Sequence, residues 1–132
     1  PRVILFREEH SPRVLVDKVD FISAPGTSAP GVYRTGGPVA LLTGKALFRF
    51  DKARPGFTLE SVHPGPALDE IHAATGFAFD HAETPAATPA PDAATLSLLR
   101  GRVLDELAET YPAFAAEWRS DLAALTREGS PA

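Results

Sequence analysis

The sequence predicts an α/β protein with an open, mostly parallel β-sheet, a β-hairpin within it and helices toward its C-terminus. Three observations favour this fold. The continuous apolar run Val3–Phe6 is typical of a strand buried on both faces of a parallel sheet. Two alternating segments, 46–51 and 57–62, flank a turn that contains Pro55 and Gly56, which indicates a hairpin. From residue 93 onward, apolar residues recur at helical spacing.

The composition is that of a globular domain. The chain has 132 residues, of which 44% are hydrophobic and 23% charged, enough to bury one core. A net charge of −4 argues against general attraction to nucleic acid or anionic membrane. There is no cysteine, and no apolar run approaches the roughly 18 residues of a membrane span. We therefore expect a soluble, cytoplasmic protein without nucleic-acid or membrane partners. Because the chain enters an apolar run at once, we also expect it to be a piece of something larger.

The region before the hairpin is expected to hold a second strand and a long loop. Val19–Ile22 is predicted to be a strand, and it stops at Pro25-Gly26. Residues 24–38 contain several prolines and glycines and are predicted to be irregular. Loops of this length are often functional. Since this one follows a predicted strand, we expect it at that strand's carboxyl end, where open α/β sheets hold their ligands.

The remaining elements follow from local patterns. Residues 39–43 are apolar enough for a buried strand, and residues 67–75 form a short helix with Asp69 and Glu70 near its start. Gly76 is expected to be a left-handed C-cap, followed by a short strand at 77–79.

The chain is expected to divide into three parts. Residues 1–80 form the α/β domain, 81–92 a Pro/Ala linker that runs extended, and 93–132 a helical extension. Asp92 can cap the first helix of that extension, and Pro112 separates two helices. The second helix carries an apolar stripe that could cover the core or bind another subunit, and its members are Phe114, Trp118, Leu122 and Leu125.

Three segments carry a family resemblance. They are SVHPGPALDEIHAATGF at 61–77, VDFISAPG at 19–26, and the region from Gly37-Pro38 to LFRFD at 47–51. In this order they resemble the C-terminal half of class I CoA-transferase β subunits, of the glutaconate and 3-oxoacid CoA-transferase type. The resemblance covers about residues 2 to 100 and implies the open, mostly parallel sheet of that family.

The resemblance also implies an activity. In this family a glutamate attacks an acyl-CoA thioester, forms a mixed anhydride and becomes a glutamyl-CoA thioester, while backbone amides of glycine-rich loops stabilise the oxyanions. Coenzyme A would be a substrate, with an acyl-CoA and a carboxylic acid, and no cofactor would be bound. The family's motif of glutamate followed by small residues and glycines is absent here. The resemblance thus implies partners: the N-terminal half of the β subunit and an α subunit in a hetero-oligomer.

The loop at 24–38 is the predicted substrate and CoA site. Glycines allow backbone to approach a ligand closely, and Arg34 could pair with a carboxylate or a CoA phosphate. Alternatively, the loop is a solvated connection in which Arg34 does nothing specific. The predicted binding residues are Gly26, Ser28, Arg34, Gly36 and Gly37.

No catalytic residue and no metal ligand are predicted. The histidines at 10, 63, 72 and 81 match no metal-binding spacing, and His63 is expected to have a structural role in its turn. Two alternatives stay open. One is a family member with altered chemistry, such as CoA-ester hydrolysis or C–C bond cleavage or cyclisation. The other is a non-catalytic binding or assembly module.

Overall fold

The computed structural model describes residues 2–128, and for 125–128 it describes the backbone alone. A π-helical turn at Leu99–Val103 joins the second and third α-helices. The strands and helices, in chain order, are β1 (Arg2–Arg7), β2 (Gly37–Thr43), β3 (Ala46–Asp51), β4 (Gly56–Val62), α1 (Leu68–Ala74), β5 (Phe79–Ala87), α2 (Ala93–Leu98), α3 (Leu104–Thr110) and α4 (Pro112–Glu128).

The five strands form one mixed sheet in the order β1-β2-β3-β4-β5. The two outer pairs, β1 with β2 and β4 with β5, are parallel. Strand β3 is antiparallel to both of its neighbours, so the other four strands share one direction. The α/β fold and the β3–β4 hairpin predicted from sequence are confirmed.

The core lies on one face of this sheet, under α1. A row of residues crosses four strands at matched positions, from Leu5 through Leu41 and Phe48 to Leu59. The last three are buried, and Ile71 of α1 covers them. Leu5 is exposed. The helix therefore closes the hairpin side of this face and leaves the β1 side open.

The expectation that Val3–Phe6 is buried on both faces is wrong. All six residues of β1 are exposed, and Phe6 is 69% exposed. The reason is that β1 is an edge strand, and β2 is its only partner strand among residues 2–128. An apolar run predicts a strand, but other elements decide whether that strand is covered.

The strand predicted at Val19–Ile22 is also wrong. Between β1 and β2 the chain forms turns and bends but no strand or helix. Val19, Phe21 and Ile22 are exposed. With no strand beside it, this segment has no ladder of hydrogen bonds to join.

Gly76 does not adopt the left-handed conformation predicted for it, since positive φ angles occur among the described glycines at other positions. Its amide donates to the carbonyl oxygen of Leu15 at 2.6 Å. A Cβ at this position would lie 2.5 Å from that same oxygen. Glycine is required here by the close approach of two backbone segments.

The stretch expected to be a linker contributes to the sheet instead. Strand β5 runs from Phe79 to Ala87 and pairs with β4, where Leu59 lies opposite His81. The segment is extended, as predicted, but hydrogen-bonded. Pro85 is compatible with a strand here because β5 is at the sheet's edge.

The chain divides into two compact units, the first ending at Pro89 and the second beginning at Ala90. In the second unit Asp92 caps α2 by accepting a hydrogen bond from the Thr95 amide at 2.7 Å. Leu104 and Ala115 are buried, and Arg119 donates to Asp105 at 2.7 Å. None of the helices among the described residues is long and apolar enough to cross a membrane.

Candidate functional site

An apolar pocket of about 400 Å³ lies where the loop before β2 folds over the sheet. The early part of β1 forms one wall and the aromatic rings at the end of β3 and the start of β4 form another. The lining residues are Val3, Leu5, Ala24, Pro25, Gly26, Thr27, Arg34, Gly37, Pro38, Phe50 and Phe57.

The structure brings three of the five predicted binding residues to this pocket. Gly26, Arg34 and Gly37 line it, whereas Ser28 and Gly36 do not. The expectation that this loop extends from the carboxyl end of a strand is wrong, because no strand lies directly before it. It folds instead against the amino end of β2, which begins at Gly37.

Glycine suits the two lining positions for different structural reasons. A Cβ on Gly26 would lie 3.1 Å from the ring of Phe50, so a side chain there would press on the pocket's aromatic wall. Gly37 has φ of +144°, a conformation that residues with side chains rarely adopt. Both positions let backbone border the pocket directly.

Two cations lie at or beside the pocket. Arg34 lines it, and the guanidinium of this residue donates to the carbonyl oxygen of Pro25. The Lys52 ammonium donates to the carbonyl oxygen of Gly36 at 2.6 Å. The lining set described here contains no carboxylate, histidine or cysteine. The arrangement can hold an apolar group and attract an anion, but its lining offers no carboxylate nucleophile.

The sequence did not point to the pocket's walls. The sequence pattern predicts a buried strand for Val3 and Leu5 and a hairpin for Phe50 and Phe57, and it indicates no binding role for any of the four. The alternation along β3 places Phe50 on the same face as the buried Phe48, which was a usable signal. Nothing local indicated that the face would stay open beside β1.

Away from the pocket, His10 is a buried connector. It is 6% exposed, and its Nδ1 and Nε2 lie 2.8 Å from Thr43 Oγ1 and 2.9 Å from Thr75 Oγ1. The Thr75 hydroxyl donates to the Ile71 carbonyl at 2.7 Å, so Nε2 of His10 is the donor to Thr75. Burial lowers the pKa of His10, and the nearby charges of Lys45 and His63 lower it further. No local sequence pattern indicates these contacts.

His63, which follows β4 directly, contacts the end of β2 and the residue after β5. Its Nε2 donates to the carbonyl oxygen of Thr43 at 3.0 Å, so its Nδ1 accepts from the Thr88 hydroxyl at 2.8 Å. Both ring nitrogens are therefore engaged within the fold. This geometry agrees with the structural role expected for His63.

No family model and no curated protein matches the chain, but solved structures do. It is similar to glutaconate coenzyme A-transferase from Acidaminococcus fermentans, with 26% identity and a TM-score of 0.61 over 74% of this chain and 40% of that one. It is also similar to IpdAB from Rhodococcus jostii RHA1, with 25% identity and a TM-score of 0.69 over 76% of this chain and 42% of that one. The chain has a CoA-transferase-like fold.

A third similar structure is the decarboxylase AibA/AibB, with 26% identity and a TM-score of 0.55 over 75% of this chain and 37% of that one. The resemblance predicted from the sequence segments is thus confirmed for about three quarters of the chain. The chain spans well under half of each of these structures. Within the CoA-transferase-like fold, its described residues supply an apolar pocket whose lining contains no carboxylate.

Proposed function

We propose that this chain is one component of a CoA-transferase-like enzyme, which moves coenzyme A between an acyl-CoA and a carboxylic acid. The nucleophilic glutamate is supplied by another segment or chain. The observation that carries the proposal is the open apolar pocket bordered by Gly26, Arg34 and Gly37 in a CoA-transferase-like fold.

Each part of the pocket has a proposed role. Its apolar walls, which include Phe50 and Phe57, accept the acyl chain. Arg34 pairs with the carboxylate of the acid or with a CoA phosphate, because a guanidinium can bind either through two parallel hydrogen bonds. The backbone beside Gly26 and Gly37 can approach the reacting group closely.

The proposed reaction places the nucleophile outside this chain. The glutamate carboxylate attacks the thioester carbonyl, the C–S bond breaks and CoA thiolate leaves, which produces a mixed anhydride. The thiolate then attacks the glutamyl carbonyl, releases the first acid and forms a glutamyl-CoA thioester. The second acid reverses these steps and takes up the CoA.

The proposed partners are the N-terminal half of a β subunit and an α subunit. The exposed apolar strand β1 supports this proposal, because its free edge and both of its faces are available to a companion polypeptide. The similar decarboxylase structure contains two named components, AibA and AibB, which is consistent with a partner polypeptide for this chain. A cytoplasmic location is part of the proposal and suits a chain without cysteine.

The experiment isolates the complex that forms around this chain and assays CoA transfer between glutaconyl-CoA and acetate. The Arg34→Ala variant is expected to raise the KM for a substrate at least about tenfold, since a charged hydrogen-bonding partner is lost. The Arg34→Lys variant should recover part of the loss. Arg54→Ala is the matched control, because Arg54 is an exposed arginine that does not line this pocket. An unchanged KM in Arg34→Ala would reject the assigned role.

A second candidate is C–C bond cleavage by decarboxylation. The similarity to the decarboxylase AibA/AibB favours it, as does a pocket lining without a carboxylate. Here an acyl-CoA with a free carboxylate would lose CO₂, and the electron pair left on carbon would be protonated. Release of labelled CO₂ without CoA exchange would select this candidate. If the isolated complex shows neither activity, the remaining alternative is a non-catalytic binding or assembly module.

A further inference from the structure

A second cluster of titratable side chains lies outside the pocket, where α1 meets β5. The Nε2 atoms of His72 and His81 are 3.1 Å apart. Both side chains are exposed. The proposed transferase chemistry uses neither of them.

Both imidazole rings are held in place by separate contacts. The ring of His72 stacks on Phe79, with centroids 4.7 Å apart and planes inclined by 18°. His81 donates from Nδ1 to the carbonyl oxygen of Ala82 at 2.8 Å. This bond fixes the tautomer of His81, so that its Nε2 carries the lone pair and accepts a hydrogen bond from Nε2 of His72. A backbone carbonyl on the far nitrogen is the usual partner of a metal-binding histidine.

The separation of the two nitrogens suits a shared metal ion. Metal–nitrogen bonds to histidine are about 2.0–2.1 Å long. Two such bonds hold nitrogens 3.1 Å apart when the angle at the metal is about 98°. This angle lies between those of square-planar and tetrahedral coordination, so the two nitrogens can hold one ion at their present separation once the Nε2 proton of His72 has moved to its Nδ1.

We propose that His72 and His81 form a binding site for a divalent first-row transition ion of the nickel, copper and zinc class. The imidazole nitrogens supply two ligands and water fills the other positions. In the described part of the chain no group of three or more histidine, aspartate or glutamate residues could hold a metal. The site is therefore a two-ligand, exchangeable one. The proposal departs from the expectation of no metal, which rested on sequence spacing, because the α1–β5 contact brings together histidines that match no motif.

The test is calorimetric titration of the full chain with NiCl₂ and CuCl₂ in a non-chelating buffer. Wild-type protein should bind one equivalent of each ion, with copper tighter than nickel. His72→Gln and His81→Gln should each weaken binding at least about tenfold, and the double variant should not bind. Glu83→Gln is the matched control, an exposed carboxylate on the same strand whose loss should change nothing.

Thermal unfolding with EDTA establishes that each variant folds. Adding metal should then raise the melting temperature of the wild type and of Glu83→Gln but not of the double variant, because only the folded chain holds both ligands together. If wild type shows no saturable binding, or if the folded double variant binds equally well, the proposal is rejected. The two histidines would then be a hydrogen-bonded pair only.

Discussion

Strands β1 and β3 lie in one sheet and are both rich in apolar residues, yet β3 has buried residues and β1 has none. Phe48 of β3 is 0% exposed and Phe6 of β1 is 69% exposed. Helix α1 covers β3 through Ile71, whereas all of β1 is exposed. An apolar pattern therefore indicates a strand that is suited to burial. Whether the strand is buried depends on whether another element of the described chain covers it.

The same contrast is visible along a single row of the sheet. Leu41, Phe48 and Leu59 are buried, and Leu5 at the β1 end is exposed and lines the pocket. Burial ends at the place where the candidate site begins. In the proposed enzyme, the companion polypeptide covers β1 and completes the pocket from that side.

The largest expected effect is on the covered strand. Phe48→Ala should lower the free energy of unfolding by about 3–5 kcal/mol, since it removes a fully buried ring and leaves a cavity. Phe6→Ala, the same substitution on β1, should change the stability of the isolated chain by no more than about 0.5 kcal/mol. Urea denaturation of the two variants measures both values. Equal losses would mean that β1 is covered within the chain itself.

The contact between Gly76 and Leu15 gives the next largest effect. Gly76→Ala should lower the free energy of unfolding by about 1–3 kcal/mol, because the added methyl group overlaps a backbone oxygen. The control is Gly56→Ala, where a Cβ would meet its nearest atom at 3.5 Å. Denaturant midpoints compare the two. If Gly76→Ala is as stable as wild type, the 13–17 segment does not pack closely on Gly76.

The buried side chain of His10 is expected to have a smaller, pH-dependent effect on the free energy of unfolding. Burial depresses the pKa of His10 in the folded state below its ordinary value of 6.5. The unfolded chain then binds more protons than the folded chain as the pH falls below 6.5, so stability is full above that pH and declines through the folded pKa.

The measurement is the free energy of unfolding between pH 7.5 and pH 5, in steps of about half a unit. In His10→Gln the part of the slope due to this imidazole should disappear, although the variant is less stable throughout. A slope that is unchanged in the variant would assign the pH dependence to other groups.

Local patterns were sufficient where neighbours in sequence are neighbours in space. The hairpin, α1 and the Asp92 cap follow from alternation, spacing and a capping side chain, and all are present. The loop glycines were predicted for the same reason, and two of them line the pocket. The failures concern contacts between distant segments. Val19–Ile22 has no strand to pair with, and β5 forms because β4 offers it a parallel edge.

The candidate site shows the same limit. Its loop side, Gly26, Arg34 and Gly37, could be predicted from residue types. Its wall of Val3 and Leu5 depends on β1 being uncovered, which no local pattern reveals. The pairing of His72 with His81 depends on how α1 packs beside β5.

The most direct test of the account isolates the polypeptides that co-purify with the wild-type chain and with the variant Phe6→Asp. It then compares the native mass and the CoA-transfer activity of the two preparations. The account predicts that wild type carries a companion polypeptide and moves CoA between an acyl-CoA and a carboxylic acid. Phe6→Asp should lose both the companion and the activity while the chain itself remains folded, because Phe6 is exposed in the chain alone. A wild-type chain that runs as an inactive monomer, or a variant that keeps its companion, would contradict the account.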